Sequence, residues 1–119
     1  MTNTAHKLPT FGQLKKAYLD SGYEIRFFPQ HTLERLALDA PADVKRHINT
    51  NIMGLIMPDE GVIGIVETLS PEDKTETLIH ELSHELYPDL PEDVIEEMTV
   101  ELAQSLDARQ FGFFQFLVS

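Results

Sequence analysis

The sequence predicts an α+β fold: a small, mostly antiparallel sheet of about three strands packed against helices. Short apolar runs alternate with turn residues in the first part of the chain, and two long amphipathic stretches follow them. The 119 residues can bury a hydrophobic core, and they include no internal repeat, low-complexity run or linker. We therefore expect one continuous domain, residues 1–119.

Periodicity and turn residues predict the elements of the N-terminal half. A first helix is expected at Phe11–Asp20, where the apolar residues share one face. A strand follows at Tyr23–Phe28, because this run alternates and is rich in aromatic residues. Short helices are expected at Thr32–Leu38 and at Pro41–His47.

A hairpin and a long helix are predicted next. Asn51–Met57 and Val62–Leu69 are apolar runs separated by Pro-Asp-Glu-Gly, a sequence typical of a tight turn. Ser70 is the expected N-cap of the helix that follows. This helix should run to about Tyr87, because Pro88 prevents it from continuing.

A second long helix is expected to begin at Pro91 and to end at Gly112. The residues after it are unusually apolar, so residues 111–119 form a predicted C-terminal tail. Such a tail packs on its own core or is buried between the two copies of a homodimer.

The charge of the chain is concentrated in one region. Nine basic residues stand against 20 acidic ones, a net charge of −11. Residues 1–66 are balanced, whereas residues 67–109 hold thirteen acidic residues against Lys74 and Arg109. This surface repels phosphate backbones, so we expect no nucleic-acid partner. It favours a metal ion, a basic peptide or a basic protein, and the plain alternative is an acidic, solvated surface.

Composition excludes several classes of protein. The chain has no cysteine, which excludes a disulfide framework, a thiolate zinc site and a cysteine nucleophile. No run approaches 18 apolar residues, so we expect no membrane association. The first residues lack the apolar core of a signal peptide, and the expected location is therefore cytoplasmic.

The first long helix contains an H-E-x-x-H motif, from His80 to His84. Histidines four positions apart lie one turn apart on the same helix face, so both imidazoles can bind one Zn²⁺ ion. Glu81 is offset from them and can act as the general base on a water molecule. On a helical wheel the two histidines lie opposite the apolar stripe around Leu82, so they face solvent or a cleft.

The third ligand must come from elsewhere in the chain. The extended motif with a third histidine is absent, because Tyr87 and Leu90 occupy its glycine and histidine positions. The other histidines are far upstream, which leaves the acidic residues of the second helix. These histidines are His6, His31 and His47, and these acids are Glu92, Glu96, Glu97 and Glu101.

A helical wheel centred on Met98 separates these acids. Glu96 falls about 160° away and is expected to face solvent, whereas Glu97 and Glu101 lie one turn apart on one flank. We expect Glu97 to be the third ligand and Glu101 to accept a hydrogen bond from a histidine N–H. The opposite assignment, with Glu101 as the ligand and Glu97 as the acceptor, remains open. The alternative for each residue is a solvated acid on the helix surface.

These segments resemble the zincin metallopeptidases. The resemblance rests on the run Gly-Val-Ile-Gly-Ile-Val-Glu-Thr-Leu, on Thr-Leu-Ile-His-Glu-Leu-Ser-His and on a helix with glutamates. Glu97-Met-Thr-Val-Glu101 is similar to the ligand helix of the gluzincins. The short spacing from His84 to Glu97 resembles that of the compact minigluzincins more than that of full-length gluzincins. The resemblance covers residues 52–106.

The resemblance implies zinc-dependent hydrolysis of a peptide or protein substrate. It implies His80, His84 and Glu97 as zinc ligands, Glu81 as the base that shuttles the proton, and Val62–Leu69 as a rim strand for an extended substrate. It also implies a latent enzyme that is inhibited by its C-terminal segment. No side chain is assigned to the oxyanion, for which Tyr87 is a weak candidate.

Two other classes of function remain open. The first is a regulatory binding module on a zincin scaffold, which holds zinc but recognises one basic partner through its acidic face. The second is a metal-free structural domain in which the histidines bind nothing.

Overall fold

The computed structural model describes residues 8–39 and 52–119. This part of the chain contains five helices and three strands, which confirms the α+β fold class. In chain order they are α1 (Phe11–Ser21), β1 (Glu24–Phe28), α2 (Gln30–Leu38), β2 (Gly54–Met57), β3 (Val62–Val66), α3 (Pro71–Leu86), α4 (Glu92–Ser105) and α5 (Ala108–Leu117). The helix predicted at Pro41–His47 lies outside the described residues.

β3 is the central strand of a mixed sheet, whose order is β1–β3–β2. β2 runs antiparallel to β3, whereas β1 runs parallel to it. The expectation of a mostly antiparallel sheet is therefore wrong. The turn between β2 and β3 is short enough to impose antiparallel pairing, but β1 reaches β3 through a long connection that includes α2, which permits parallel pairing.

The pairing of β3 also corrects the expected rim strand. β3 is hydrogen-bonded on both sides and all five of its residues are buried, so Val62–Leu69 cannot offer a free edge. Among the described strands, the free edge next to α3 belongs to β2. The amide of Val66 donates to the carbonyl of Met53 at 2.9 Å. In an antiparallel ladder this register directs the N–H and C=O groups of Gly54 and Ile56 away from β3.

The sheet is covered on both faces. Ile63 and Ile65 pack with Leu82 of α3 in the larger core cluster, which also receives residues of α1 and α5. Val66 packs with Leu33 of α2 in a second cluster on the other face. Burial on both sides explains why β3 is uninterruptedly apolar rather than alternating.

Local sequence signals define α3, the helix that carries the H-E-x-x-H motif. The hydroxyl of Ser70 accepts a hydrogen bond from the amide of Asp73 at 3.1 Å, as expected of an N-cap. Pro71 is the first helical residue, and Glu72 and Asp73 lie beside the positive end of the helix dipole. The helix ends at Leu86, two residues before Pro88.

The second long helix is shorter than predicted. α4 ends at Ser105, Leu106 is extended, and Asp107 begins a separate helix. The side chain of Asp107 accepts from the amide of Gln110 at 2.8 Å, and the side chain of Gln110 accepts from the amide of Asp107. This reciprocal capping box starts α5, so Gly112 lies inside α5 and does not end α4.

The apolar C-terminal residues belong to the core. Phe114 is fully buried, Val118 is also buried, and the rings of Phe114 and Phe11 are 5.6 Å apart in an edge-to-face arrangement. Of the three arrangements considered for residues 111–119, the structure therefore shows packing on the chain's own core. In the described part of the chain, no helix is long and apolar enough to cross a membrane.

A pair of phenylalanines in α5 tests this packing. Phe114→Ala should lower the free energy of unfolding by about 3–5 kcal/mol, because it leaves a cavity in the core. Phe116 is 79% exposed, and Phe116→Ala should change stability by less than about 0.5 kcal/mol. Urea denaturation of both variants measures this, and equal effects would contradict the described position of α5.

Candidate metal centre

His80 and His84 face α4 and not the core beneath α3. Their Nε2 atoms are 3.2 Å apart, and their rings lie edge to face with centroids 4.8 Å apart. His84 is buried and His80 is partly buried. Of the two surroundings that the helical wheel allowed, solvent or a cleft, His80 has a cleft, and α4 forms one of its walls.

Glu92 completes a group of three potential ligands. Its carboxylate oxygens lie 2.7 Å from Nε2 of His84 and 3.0 Å from Nε2 of His80. Glu92 is the first residue of α4, and His84 is in the last turn of α3. The short connection between these helices brings their adjoining ends together, which places Glu92 against the histidines.

Neither acid predicted from the sequence joins this group. Glu97 and Glu101 are both exposed, and the group that could hold a metal ion consists of His80, His84 and Glu92. Relative to Met98, Glu92 lies about 120° to one side of the α4 wheel and Glu97 about 100° to the other. Only the Glu92 side faces α3.

Thr99, which the sequence did not single out, fixes the orientation of His80. Its hydroxyl donates to the carbonyl of Ile95 at 2.9 Å and lies 3.3 Å from Nδ1 of His80. Because the hydroxyl has one proton and gives it to Ile95, it can only accept a proton from Nδ1. The neutral His80 ring then keeps its lone pair on Nε2, the atom that faces His84 and Glu92. Thr99 thus occupies the position that was expected for Glu101.

The sequence carried a signal for both missed residues. Glu92 and Thr99 are seven positions apart, which is two helical turns, so they lie on one face of α4. In two antiparallel helices joined by a short connection, residues at equal distances from the connection tend to meet. His84 is in the last turn of α3, so this rule places it near the first turn of α4, where Glu92 lies.

Glu81 lies in the same cleft and is nine-tenths buried. It makes no hydrogen bond to another described residue, and burial raises the pKa of its carboxyl group, against the opposing charges of His80 and His84. β2 packs closely on it. A Cβ atom at Gly54 would lie 3.1 Å from Oε2 of Glu81 and 2.6 Å from Cγ2 of Thr77, so this close approach requires glycine.

Electrostatic coupling holds the group together. Burial disfavours the protonated form of His80, but the hydrogen bond to Glu92 and the charges of Glu81, Glu92 and Glu96 outweigh it, so the pKa of His80 is raised. Burial also opposes ionisation of Glu92, yet its hydrogen bonds to both histidines lower its pKa from 4.5 to about 2. Glu92 is therefore an anion at neutral pH.

The donor set fits a divalent cation. The ligand atoms of the three side chains lie within 4.8 Å of one another, and two imidazoles with one carboxylate form a common set for catalytic zinc. Ligand atoms of a tetrahedral zinc site with bonds of about 2.0–2.1 Å are roughly 3.3 Å apart. The two Nε2 atoms are 3.2 Å apart, close to this value, whereas the distances of 2.7 and 3.0 Å to Glu92 run to different oxygens of its carboxylate. The donor set does not identify which metal would bind.

The cleft has a volume of about 410 Å³ and lies between β2, α3 and α4. None of its lining residues belongs to α5, and Tyr87 does not line it either. His31 is exposed on α2, whereas His6 and His47 lie outside the described residues.

Comparisons with protein-family models, with curated proteins and with solved structures found no match to this chain. The described residues form a small α+β fold with a candidate His₂Glu metal centre, of which His80 and Glu92 line the cleft.

Substitution of the two competing glutamates tests the ligand set. Glu92→Gln should weaken zinc binding by more than the roughly 10–100-fold that loss of an outer hydrogen-bond partner costs. Glu97→Gln removes the same charge from the same helix and should leave the affinity unchanged. Competition with a chromophoric chelator measures the zinc affinity of both variants. A loss of affinity in Glu97→Gln alone would show that Glu97 is the third ligand, as predicted from the sequence.

Proposed function

We propose that this protein is a small zinc-dependent peptidase in which His80, His84 and Glu92 hold the ion. The observation that carries the proposal is the position of Glu81, a buried carboxylate in the same cleft, one residue from His80. A bound zinc ion supplies Lewis-acid polarisation and lowers the pKa of water.

Glu81 is the general base in this proposal. It takes a proton from a water molecule in the cleft while the water oxygen forms a bond to the peptide carbonyl carbon. The proton then passes from Glu81 to the amide nitrogen as the C–N bond breaks. Burial raises the pKa of the Glu81 carboxyl group, and a raised pKa makes its carboxylate a better proton acceptor.

The free edge of β2 supports a peptide as the substrate. Gly54 and Ile56 direct backbone N–H and C=O groups away from β3, and Gly54 packs on Glu81. An extended peptide that pairs with this edge is held by main-chain hydrogen bonds, next to the base. This role replaces the one expected for Val62–Leu69.

One observation favours the alternative of a regulatory binding module. In the described part of the chain, the residues that line the cleft include no tyrosine, arginine, lysine or asparagine that could stabilise an oxyanion. A module of this kind would bind zinc and a protein segment without turnover.

Substitution of Glu81 separates the two candidates. Zinc-loaded Glu81→Gln should retain the metal but cleave a proteome-derived peptide library about 10²–10⁴-fold more slowly than wild type, by mass spectrometry. Glu85→Gln is the matched control, because Glu85 is exposed on the same helix and does not line the cleft.

Wild-type protein that holds one zinc ion yet cuts nothing would overturn the peptidase and favour the binding module. Absence of zinc after reconstitution would favour the metal-free structural domain.

A further inference from the structure

The cleft has an acidic wall beyond the candidate metal centre. Asp73 and Glu76 of α3 line it together with Glu96 of α4, and no lysine or arginine lines it in the part of the chain that the structure describes. Asp73, Glu76 and His80 follow one another at intervals of three and four residues, so they lie along one face of α3. The two acids therefore continue the cleft, about one and two helical turns from His80.

Glu76 of this wall has no basic partner in the part of the chain that the structure describes. Glu76 is half-buried and makes no hydrogen bond or ion pair with another described residue. Burial, and then repulsion from Asp73 and Glu72, raises the pKa of Glu76. Lys74 is the one basic residue of α3 besides the histidines, and its Nζ lies over the ring of Phe27 on β1, at 4.7 Å. β1 is at the opposite edge of the sheet from β2, so Lys74 is engaged away from the cleft.

Two further features indicate that this cleft receives a ligand. Glu81 is nine-tenths buried, lines the same cleft and has no hydrogen-bond partner among the described residues. Met53, next to β2, and Val100, on α4, both line the cleft and are 48% and 58% exposed. A cleft lined by both apolar and acidic side chains matches a segment that carries both apolar groups and a cation.

We propose that the cleft selects extended peptides that place an arginine or lysine side chain against Asp73 and Glu76. This proposal names the substrate class of the peptidase and rests on that function. The peptide lies along the free edge of β2, its basic side chain reaches the acidic wall, and its neighbouring apolar side chains contact Met53 and Val100.

Binding to an inactive variant tests this selectivity without turnover. The probes are fluorescent decapeptides of alanine, glycine and leucine that carry one arginine at each position in turn. Each has a counterpart with citrulline, which is neutral and has nearly the same shape. Anisotropy with zinc-loaded Glu81→Gln should give roughly five- to tenfold tighter binding of the best arginine peptide than of its counterpart. The preference should shrink with added salt.

Two double variants test whether the acidic wall causes the preference for arginine over citrulline peptides. In the Glu81→Gln background, Asp73→Asn with Glu76→Gln should reduce the preference to less than twofold. Glu85→Gln with Asp89→Asn removes the same charge from exposed positions outside the cleft and should preserve it. Equal affinity for arginine and citrulline peptides, no binding of any peptide, or an unchanged preference in the first double variant would each overturn the proposal.

Cleavage by wild-type protein separates this proposal from the function on which it rests. If arginine peptides bind selectively but are not cut, the acidic wall is supported and the peptidase fails. If arginine and citrulline peptides are cut equally well, the peptidase is supported and the acidic wall fails.

Discussion

The convergence of two imidazole nitrogens on one carboxylate is the interaction on which this site depends. Nε2 of His80 and Nε2 of His84 are 3.2 Å apart, and both lie within 3.0 Å of Glu92. Thr99 holds the proton of neutral His80 on Nδ1, so the lone pair of Nε2 points at another nitrogen and at an anion. Such a group is stable only if a proton or a metal ion lies between its members, and a divalent cation satisfies all three at once.

The rest of the fold places the carboxylate of Glu81 and the free edge of β2 beside that group. The β2–β3 hairpin packs on α3, and the missing side chain at Gly54 lets the strand approach Glu81 closely. The same approach excludes water from most of the Glu81 side chain, which is what raises the pKa of its carboxyl group. One packing contact thus links the shape of the sheet to the proposed base. The acids of α3 extend the cleft away from this point.

Sequence reasoning succeeded where the signals are local. The Ser70 cap, the hairpin turn and the one-turn spacing of His80 and His84 each depend on a few adjacent residues, and the structure confirms the elements they predict. Parallel pairing of β1 was not predictable in this way, because it depends on how a long connection folds back. The choice of Glu92 over Glu97 also depends on which side of α4 packs against α3. A helical wheel gives only the angles between residues of one helix, so it does not show where the neighbouring helix lies. The Asp107–Gln110 capping box was a local signal that the continuous apolar pattern concealed.

A crystal structure of zinc-loaded wild-type protein, with anomalous data collected on both sides of the zinc edge, tests the central claim most directly. We expect one strong anomalous peak per chain, at about 2.0–2.2 Å from Nε2 of His80, Nε2 of His84 and a carboxylate oxygen of Glu92. The peak should also have an open coordination position toward Glu81. A peak held by Glu97, or crystals of zinc-treated protein without a peak at the two histidines, would contradict it.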